Sequence, residues 1–319
     1  MDVPPSPATG LVLAGEVSDE AVDEVRSGAT PMKEGWRVLE PEDCTDAREH
    51  VQHQQNAENG WCVAAASLRG KSHAHSGKWR EDAFAVSHSG GCQIIAVSDG
   101  AGSAAFSRIG SEIASRVSVT ALAAYFSSQT EPLSSEVLVQ GLRIALEEAY
   151  AELNKEADNR QISLREMACT LLILIHQLPT DGGHGRIGRV QIGDGAIFLE
   201  IGGITEAYDA GDHGATAGET TFLTSHPPEH WISRVSIQEL SAPLQLGLVA
   251  TDGITDDFYP FGRYAQQLVQ GIRSGILQQD HRPWAEALTE MISYERRGSF
   301  DDRTLVIVAP VPEGLSFRP

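Results

Sequence analysis

Apolar positions along this 319-residue chain follow two different periods, and the switches between them mark out its elements. Residues 61–68 and 83–86 form apolar runs that read as strands, and a Ser-Gly-Gly turn at 89–91 leads into another at 93–98. The period then lengthens. Phe106, Ile109, Ile113, Val117, Ala121 and Ala124 step by three and four, predicting a helix over 103–126 with that face buried. Leu138, Leu142, Leu146, Ala149 and Leu153 do the same over 134–157, opposite a polar side. Strand-like runs return at 169–176, 188–191, 196–201, 219–223, 234–237 and 246–251. Helical spacing reappears over 264–277 and 283–296, and a last strand covers 304–309. Pro283, behind Asp280, suits the first position of its helix. Most strand connections are short, which favours antiparallel pairing over crossover helices. The order predicts an α+β protein: two antiparallel sheets flanked by helix pairs.

The first 58 residues lack this periodicity. The first 60 residues hold 13 Asp or Glu against 4 Lys or Arg, with several Pro and Gly. They are expected to be an acidic, largely flexible extension, with a short helix over 22–25 and Trp36 to Leu39 able to dock on the body. A domain over 59–312 and a short tail over 313–319 complete the organisation. The chain carries 24 Lys plus Arg against 44 Asp plus Glu, a formal charge of −20. That balance disfavours nucleic acid and anionic membranes, which need clustered cations. No apolar run is long enough to span a membrane and no leader pattern opens the chain, so a cytoplasmic location is expected. Cys44, Cys62, Cys92 and Cys169 have no paired spacing and read as reduced thiols, three of them packing residues.

Chemistry enters at the ends of the apolar runs. Residues 94–98 run into Asp99-Gly100, residues 246–251 run into Asp252-Gly253, and two acidic pairs, Glu81-Asp82 and Asp301-Asp302, border other strands. A carboxylate at the mouth of an apolar strand is costly without a partner. Glycine beside it lets backbone approach closely or turn with positive φ. Converging carboxylates without His or Cys suit Mg²⁺ or Mn²⁺, and two such ions can activate water and clamp phosphoryl oxygens. Any single Asp-Gly is by itself an ordinary turn signal; co-occurrence gives the set its force.

In these segments the chain resembles the metal-dependent Ser/Thr protein phosphatases of type 2C over residues 61–311. The matching words occur in family order: Lys78-Trp79-Arg80-Glu81-Asp82-Ala83, Val97-Ser98-Asp99-Gly100-Ala101-Gly102, Ala168-Cys169-Thr170, Ile192-Gly193-Asp194-Gly195-Ala196, Ala250-Thr251-Asp252-Gly253-Ile254-Thr255-Asp256 and Gly298-Ser299-Phe300-Asp301-Asp302-Arg303-Thr304. Asp-Gly-Ala-Gly-Ser, with Ser72-His73 upstream, is most similar to a bacterial branch. The resemblance implies a four-layer α-β-β-α sandwich and a binuclear Mg²⁺ or Mn²⁺ site. In it Asp99 would bridge the ions, the Gly100 carbonyl would ligate one, and Asp252 and Asp301 would complete the set. Glu81 and Asp82 would bind directly or through water. It implies hydrolysis of phosphoserine and phosphothreonine on proteins by a bridging hydroxide without a phosphoenzyme, with a cognate Ser/Thr kinase as an expected partner.

Departures from the family pattern add candidates. Gly77 stands where an Arg commonly grips phosphate, which leaves Lys78, His75, His73 and Arg80 as nearby groups for that task. Ala101 stands where a His is proposed to protonate the leaving alkoxide; a metal-bound water or His73 would take over. Glu166 is the candidate for a third ion, since Arg165-Glu166 occupies the place of an upstream Asp. Asp194 reads as turn support, and Asp256 and Asp257 as a short helix beside the site. His213, His226 and His230 fall in a loop-rich stretch, 202–247, expected to form a flap. The alternative function is a catalytically weak phosphatase-like sensor or binding module, to which the missing Arg and His point and against which the retained carboxylates argue. A two-metal nuclease is disfavoured by the charge.

Overall fold

The computed structural model describes residues 11–13, 36–129, 132–180, 183–209, 220–258, 261–278, 282–294 and 299–312. The helix expected over 22–25, most of residues 1–35, His213 and the tail 313–319 lie outside the described residues.

After β1 (Leu11–Leu13), β2 (Val51–Glu58) and β3 (Trp61–Leu68) form a hairpin whose turn residues Asn59 and Gly60 both have positive φ. Helix α1 (Lys71–Ser76) leads to a second hairpin, β4 (Ala83–Ser89) and β5 (Cys92–Ser98). Two long helices follow, α2 (Ser107–Ser127) and α3 (Ser135–Arg160), the latter capped by Ser134 accepting from the Val137 N–H. The chain then forms β6 (Leu171–Gln177), β7 (Arg186–Ile192), β8 (Ala196–Ile201) and β9 (Ile204–Asp209). Short α4 (Pro228–Trp231) precedes β10 (Ser236–Glu239) and β11 (Leu244–Ala250). Helices α5 (Asp252–Thr255), α6 (Phe261–Ile272) and α7 (Trp284–Ile292), with Pro283 as the N-cap of α7, lead to β12 (Arg303–Pro310).

One sheet has the order β1-β9-β8-β11-β12-β3-β2 and the other β10-β7-β6-β5-β4, with every named pairing antiparallel. Three apolar cores separate four layers. Ile95, Val97, Leu172, Leu199 and Val306 fill the space between the sheets. Helices α2 and α3 cover the five-stranded sheet through Leu122, Phe126, Leu142 and Leu146 against Ile94, Ile173 and Val190. Helices α6 and α7 cover the other sheet through Leu268, Ile272 and Leu288 against Phe198, Leu248 and Ile307. Because the strands are sandwiched, inner strands such as β5 and β6 are buried on both faces, which is why they read as continuous apolar runs.

The expected two-sheet α+β architecture is therefore observed, with differences of physical interest. Residues 51–58, assigned to the extension by their polar sequence, pair along their full length with β3 as an edge strand. No strand occupies 220–223, where Leu223–Ser225 forms a 3₁₀ turn. On α2 the buried face holds Ser111, Ser115, Ser118 and Leu122, while Ala124 of the predicted face is exposed. Small hydroxyl residues there let the helix approach the sheet: Ser111 donates to the Glu81 carbonyl and Ser115 to the Ser111 carbonyl. Cys62, Cys92 and Cys169 are buried and not in disulfides, as expected of packing thiols, and Cys44 is exposed.

Candidate metal centre

Antiparallel register gathers the acidic motifs at one end of the sandwich. Ala83, just after Glu81-Asp82, pairs with Ser98, just before Asp99. Ala250, just before Asp252, pairs with Leu305 on one side and with Ala196 on the other, so the Asp301-Asp302 and Asp194 turns emerge beside it. The bridge between Gly100 and Cys169 ties in the 168–170 segment. Glycine is needed here for close approach, not for positive φ. A Cβ on Gly100 would meet the Glu81 carbonyl oxygen at 2.8 Å, and one on Gly253 would meet the Asp302 carbonyl oxygen at 1.8 Å.

At the centre, carboxylate oxygens of Asp99, Asp194 and Asp252 lie within 4.8 Å of one another. Burial, and then the charges of Asp252 and Asp82, push the Asp99 carboxyl well above the usual carboxylate range. Burial, then Asp194 and Asp301, do the same to Asp252. Asp301 is also raised, by burial and then by Asp302, and its charge faces both Asp99 and Asp252. Asp194, which the sequence reading assigns to turn support, thus joins the cluster; Thr220 donates to its Oδ2, and its Oδ1 is buried without a partner.

Asp82 stands behind this group. Its Oδ2 accepts from Thr251 Oγ1 at 2.8 Å and Thr304 Oγ1 at 2.7 Å, while its buried Oδ1 has no hydrogen-bond partner. Burial and the Asp302 charge push it up to about 7. Asp99 is oriented by its own N–H, which donates to Thr170 Oγ1 at 2.8 Å. Asp302 acts as a hub, accepting from the N–H groups of Gly70 at 2.6 Å, Glu81 at 2.5 Å and Asp82 at 3.3 Å. Burial would raise it, but the His73 ring and these N–H groups outweigh burial and hold it low. Thr170, Thr251, Thr304 and Asp302 all sit inside the sequence words quoted above; Thr251 and Asp302 adjoin an acidic residue, while Thr170 and Thr304 carry no local signal of their role.

His73 is 7% exposed, with Nδ1 2.9 Å from Asp302 and Nε2 3.6 Å from Glu81. Burial lowers its basicity, but Asp302, Glu81 and Asp301 more than compensate and hold it at about 9. Three carboxylates surround it, those of Asp302, Glu81 and Asp301. Lys78 lies at the rim, its Nζ 3.4 Å from Glu81 Oε1 and 3.1 Å from the Gly102 carbonyl. Two other phosphate candidates are placed elsewhere. Arg80 is 1% exposed beneath the site, donating to the Asp82, Glu49, Ser67 and Gln52 oxygens. His75 accepts from the Arg37 N–H at 3.2 Å and packs its ring against Trp36. Glu166, the third-ion candidate, accepts from the Ala105 N–H at 3.2 Å and bonds Phe106 through its carbonyl, so it shapes the 101–106 loop. His226 and His230 stack on each other at 4.1 Å, and neither belongs to a three-donor group among the described residues.

Buried oxygens on Asp82 and Asp194 without hydrogen-bond partners, beside mutually repelling Asp99 and Asp252, fit a hard divalent cation with oxygen ligands. Residues 69–292 match the family described as protein phosphatase 2C. The chain belongs to that family. Membership makes the chain a metal-dependent Ser/Thr protein phosphatase of type 2C. The catalytic domain of the phosphatase PstP, in complex with two manganese ions, is similar at 19% identity and TM-score 0.50, over 79% of this chain and 99% of that one. PppA of Pseudomonas aeruginosa is similar at 20% identity and TM-score 0.51, over 80% and 99%. A serine-threonine phosphatase 2C from Toxoplasma gondii is similar at 15% identity and TM-score 0.53, over 81% and 98%. No curated protein matches the chain in sequence. No helix among the described residues is long and apolar enough to cross a membrane.

Proposed function

We propose that this phosphatase hydrolyses phosphoserine and phosphothreonine on protein substrates with two divalent cations, Mg²⁺ or Mn²⁺. The observation that carries the reading is the convergence of Asp99, Asp194 and Asp252 from three separate strand ends. In this reading Asp99, Asp252, Asp301, Glu81 and the Gly100 carbonyl hold the cations, with Asp82 behind them. When bound, such cations supply an activated water and a clamp on phosphoryl oxygens. The chain does the rest. Thr170, Thr251 and Thr304 fix the orientation of Asp99 and Asp82. Lys78 offers positive charge to the substrate phosphate at the rim, in place of the missing Arg. His73 serves the carboxylates rather than the leaving group. A third cation, where used, is better served by Asp194 beside Asp252 than by Glu166. A cognate Ser/Thr kinase as partner and a cytoplasmic setting are part of the same proposal.

The test is hydrolysis of para-nitrophenyl phosphate and of phosphoserine and phosphothreonine peptides by purified protein. Activity is expected with Mn²⁺, abolished by EDTA and by Asp99→Asn or Asp252→Asn. Titration calorimetry on the same samples separates an enzyme from a binding module: Mn²⁺ binding without turnover of any substrate would reject the enzymatic reading.

A further inference from the structure

Residues 36–50 lie outside the stretch that matches the family, yet they reach every segment that carries Glu81, Asp82 and Asp301. The Trp36 ring sits 4.9 Å from Phe300, the neighbour of Asp301, and 5.1 Å from His75 on α1. The Leu39 N–H donates to the Ala74 carbonyl at 2.8 Å. Arg69 then donates to both the Leu39 carbonyl at 2.8 Å and the His73 carbonyl at 3.1 Å. Further along, the Asp43 carbonyl accepts from Trp79 Nε1 at 2.7 Å, and its carboxylate pairs with Arg108 at 3.3 Å. Arg48 ion-pairs with Glu112 on α2 and donates to the Asp82 carbonyl at 3.4 Å. The same carbonyl accepts from Arg80 at 2.7 Å, and Arg80 is itself held by the Glu49 carbonyl at 3.1 Å.

None of these residues contributes to the three main cores, and Val38 and Leu39 are 69% and 44% exposed. The segment therefore adds little apolar burial. What it adds is polar and aromatic attachment to loops that carry like charges and repel one another. Carboxylate oxygens of Asp301 and Asp302, and in a second group those of Asp99, Asp194 and Asp252, lie within 4.8 Å of one another, and segments bearing like charges this close tend to spread apart.

We propose that residues 36–50 form a strap that holds the Asp82 and Asp301 loops in position for cation binding, with Trp36 and Arg48 as positioning residues. The inference rests on the reading of those loops as cation-binding. The strap works through two grips. Trp36 closes the 300 loop onto α1, and Arg48 holds the Asp82 peptide against α2.

The test uses full-length Trp36→Ala, Trp36→Phe and Arg48→Gln. Two readouts are taken: Mn²⁺ affinity by titration calorimetry, and hydrogen exchange of amides 79–82 and 299–302 in metal-free protein. Residues that orient metal ligands typically contribute about 10–100-fold to affinity, so Trp36→Ala and Arg48→Gln are expected to bind Mn²⁺ at least about tenfold more weakly. They are also expected to exchange those amides faster, with exchange in the β5 and β6 core unchanged. Trp36→Phe keeps an aromatic wedge and is expected to retain both properties. Unchanged loop exchange in both Trp36→Ala and Arg48→Gln would overturn the strap, whatever the metal data show. Equal weakening by Trp36→Phe and Trp36→Ala would overturn the role of the ring. Absence of Mn²⁺ binding by the unaltered protein counts against the proposed function, while the exchange data still decide the strap.

Discussion

Asp99 and Asp252 are half-buried beside one another, so each holds its charge at the other's expense. Both carboxyls are raised by burial first and by neighbouring carboxylates second. In metal-free protein the folded state then binds protons that the unfolded chain releases in the ordinary carboxylate range. Stability from this source is present at low pH and is lost as pH rises from that range through the folded values, about 7 for Asp82. Asp99→Asn removes the repulsion. Thermal unfolding in EDTA should show little difference from the unaltered protein near pH 4. At pH 8 the variant should melt higher, by roughly 2–4 °C for each kcal/mol relieved. With Mn²⁺ added the order should reverse, since only the unaltered protein gains from binding. A variant that melts lower at both pH values would show that Asp99 is not under electrostatic strain.

Strand ends carry the candidate site, and this is the part most legible in the sequence. The runs before Asp99 and Asp252 are apolar because β5 and β11 are buried, so their ends could be read as carboxylate positions. Elements with weaker contrast were not legible. Strand β2 is an edge, half of its positions face water, and its Gln-rich sequence looks like loop. Helix α2 buries serines at 111, 115 and 118, which an apolar period does not register. Asp302 looked like half of an acidic pair, because its N–H partners on Gly70, Glu81 and Asp82 come from more than 200 residues away. The same contact explains Gly253 at the start of α5. A Cβ there would lie 1.8 Å from the Asp302 carbonyl oxygen, which is backbone and cannot swing aside. Gly253→Ala must therefore push α5 away from the 302 loop, at a cost of about 1–3 kcal/mol for forced overpacking. Denaturant unfolding should register that loss, and calorimetry should show weaker Mn²⁺ binding because Asp252 moves with α5. A variant with unaltered stability and affinity would mean that this close approach is not a constraint.

At the scale of the whole molecule, a formal charge of −20 surrounds a site that must receive an anion. In the proposed function, cations at the centre and Lys78 at the rim would supply local attraction to phosphate, while the rest of the surface repels it. Long-range attraction must then come from the residues flanking the phosphate in the substrate. Exposed charges act over roughly 8 Å at physiological ionic strength, so their effect is readable in salt dependence. For a phosphothreonine peptide flanked by Lys and Arg, kcat/KM should fall as salt rises, because steering speeds encounter more than it deepens binding. For the same peptide flanked by Asp and Glu, kcat/KM should be lower at low salt and rise as the repulsion is screened. The two curves should converge at about 0.5 M NaCl, where the screening length is only a few ångström. Local chemistry at the cations is common to both peptides, so convergence isolates the field of the chain. Parallel salt curves for the two peptides would instead place selectivity in contacts beside the cleft, with the overall charge playing no part in choosing the substrate.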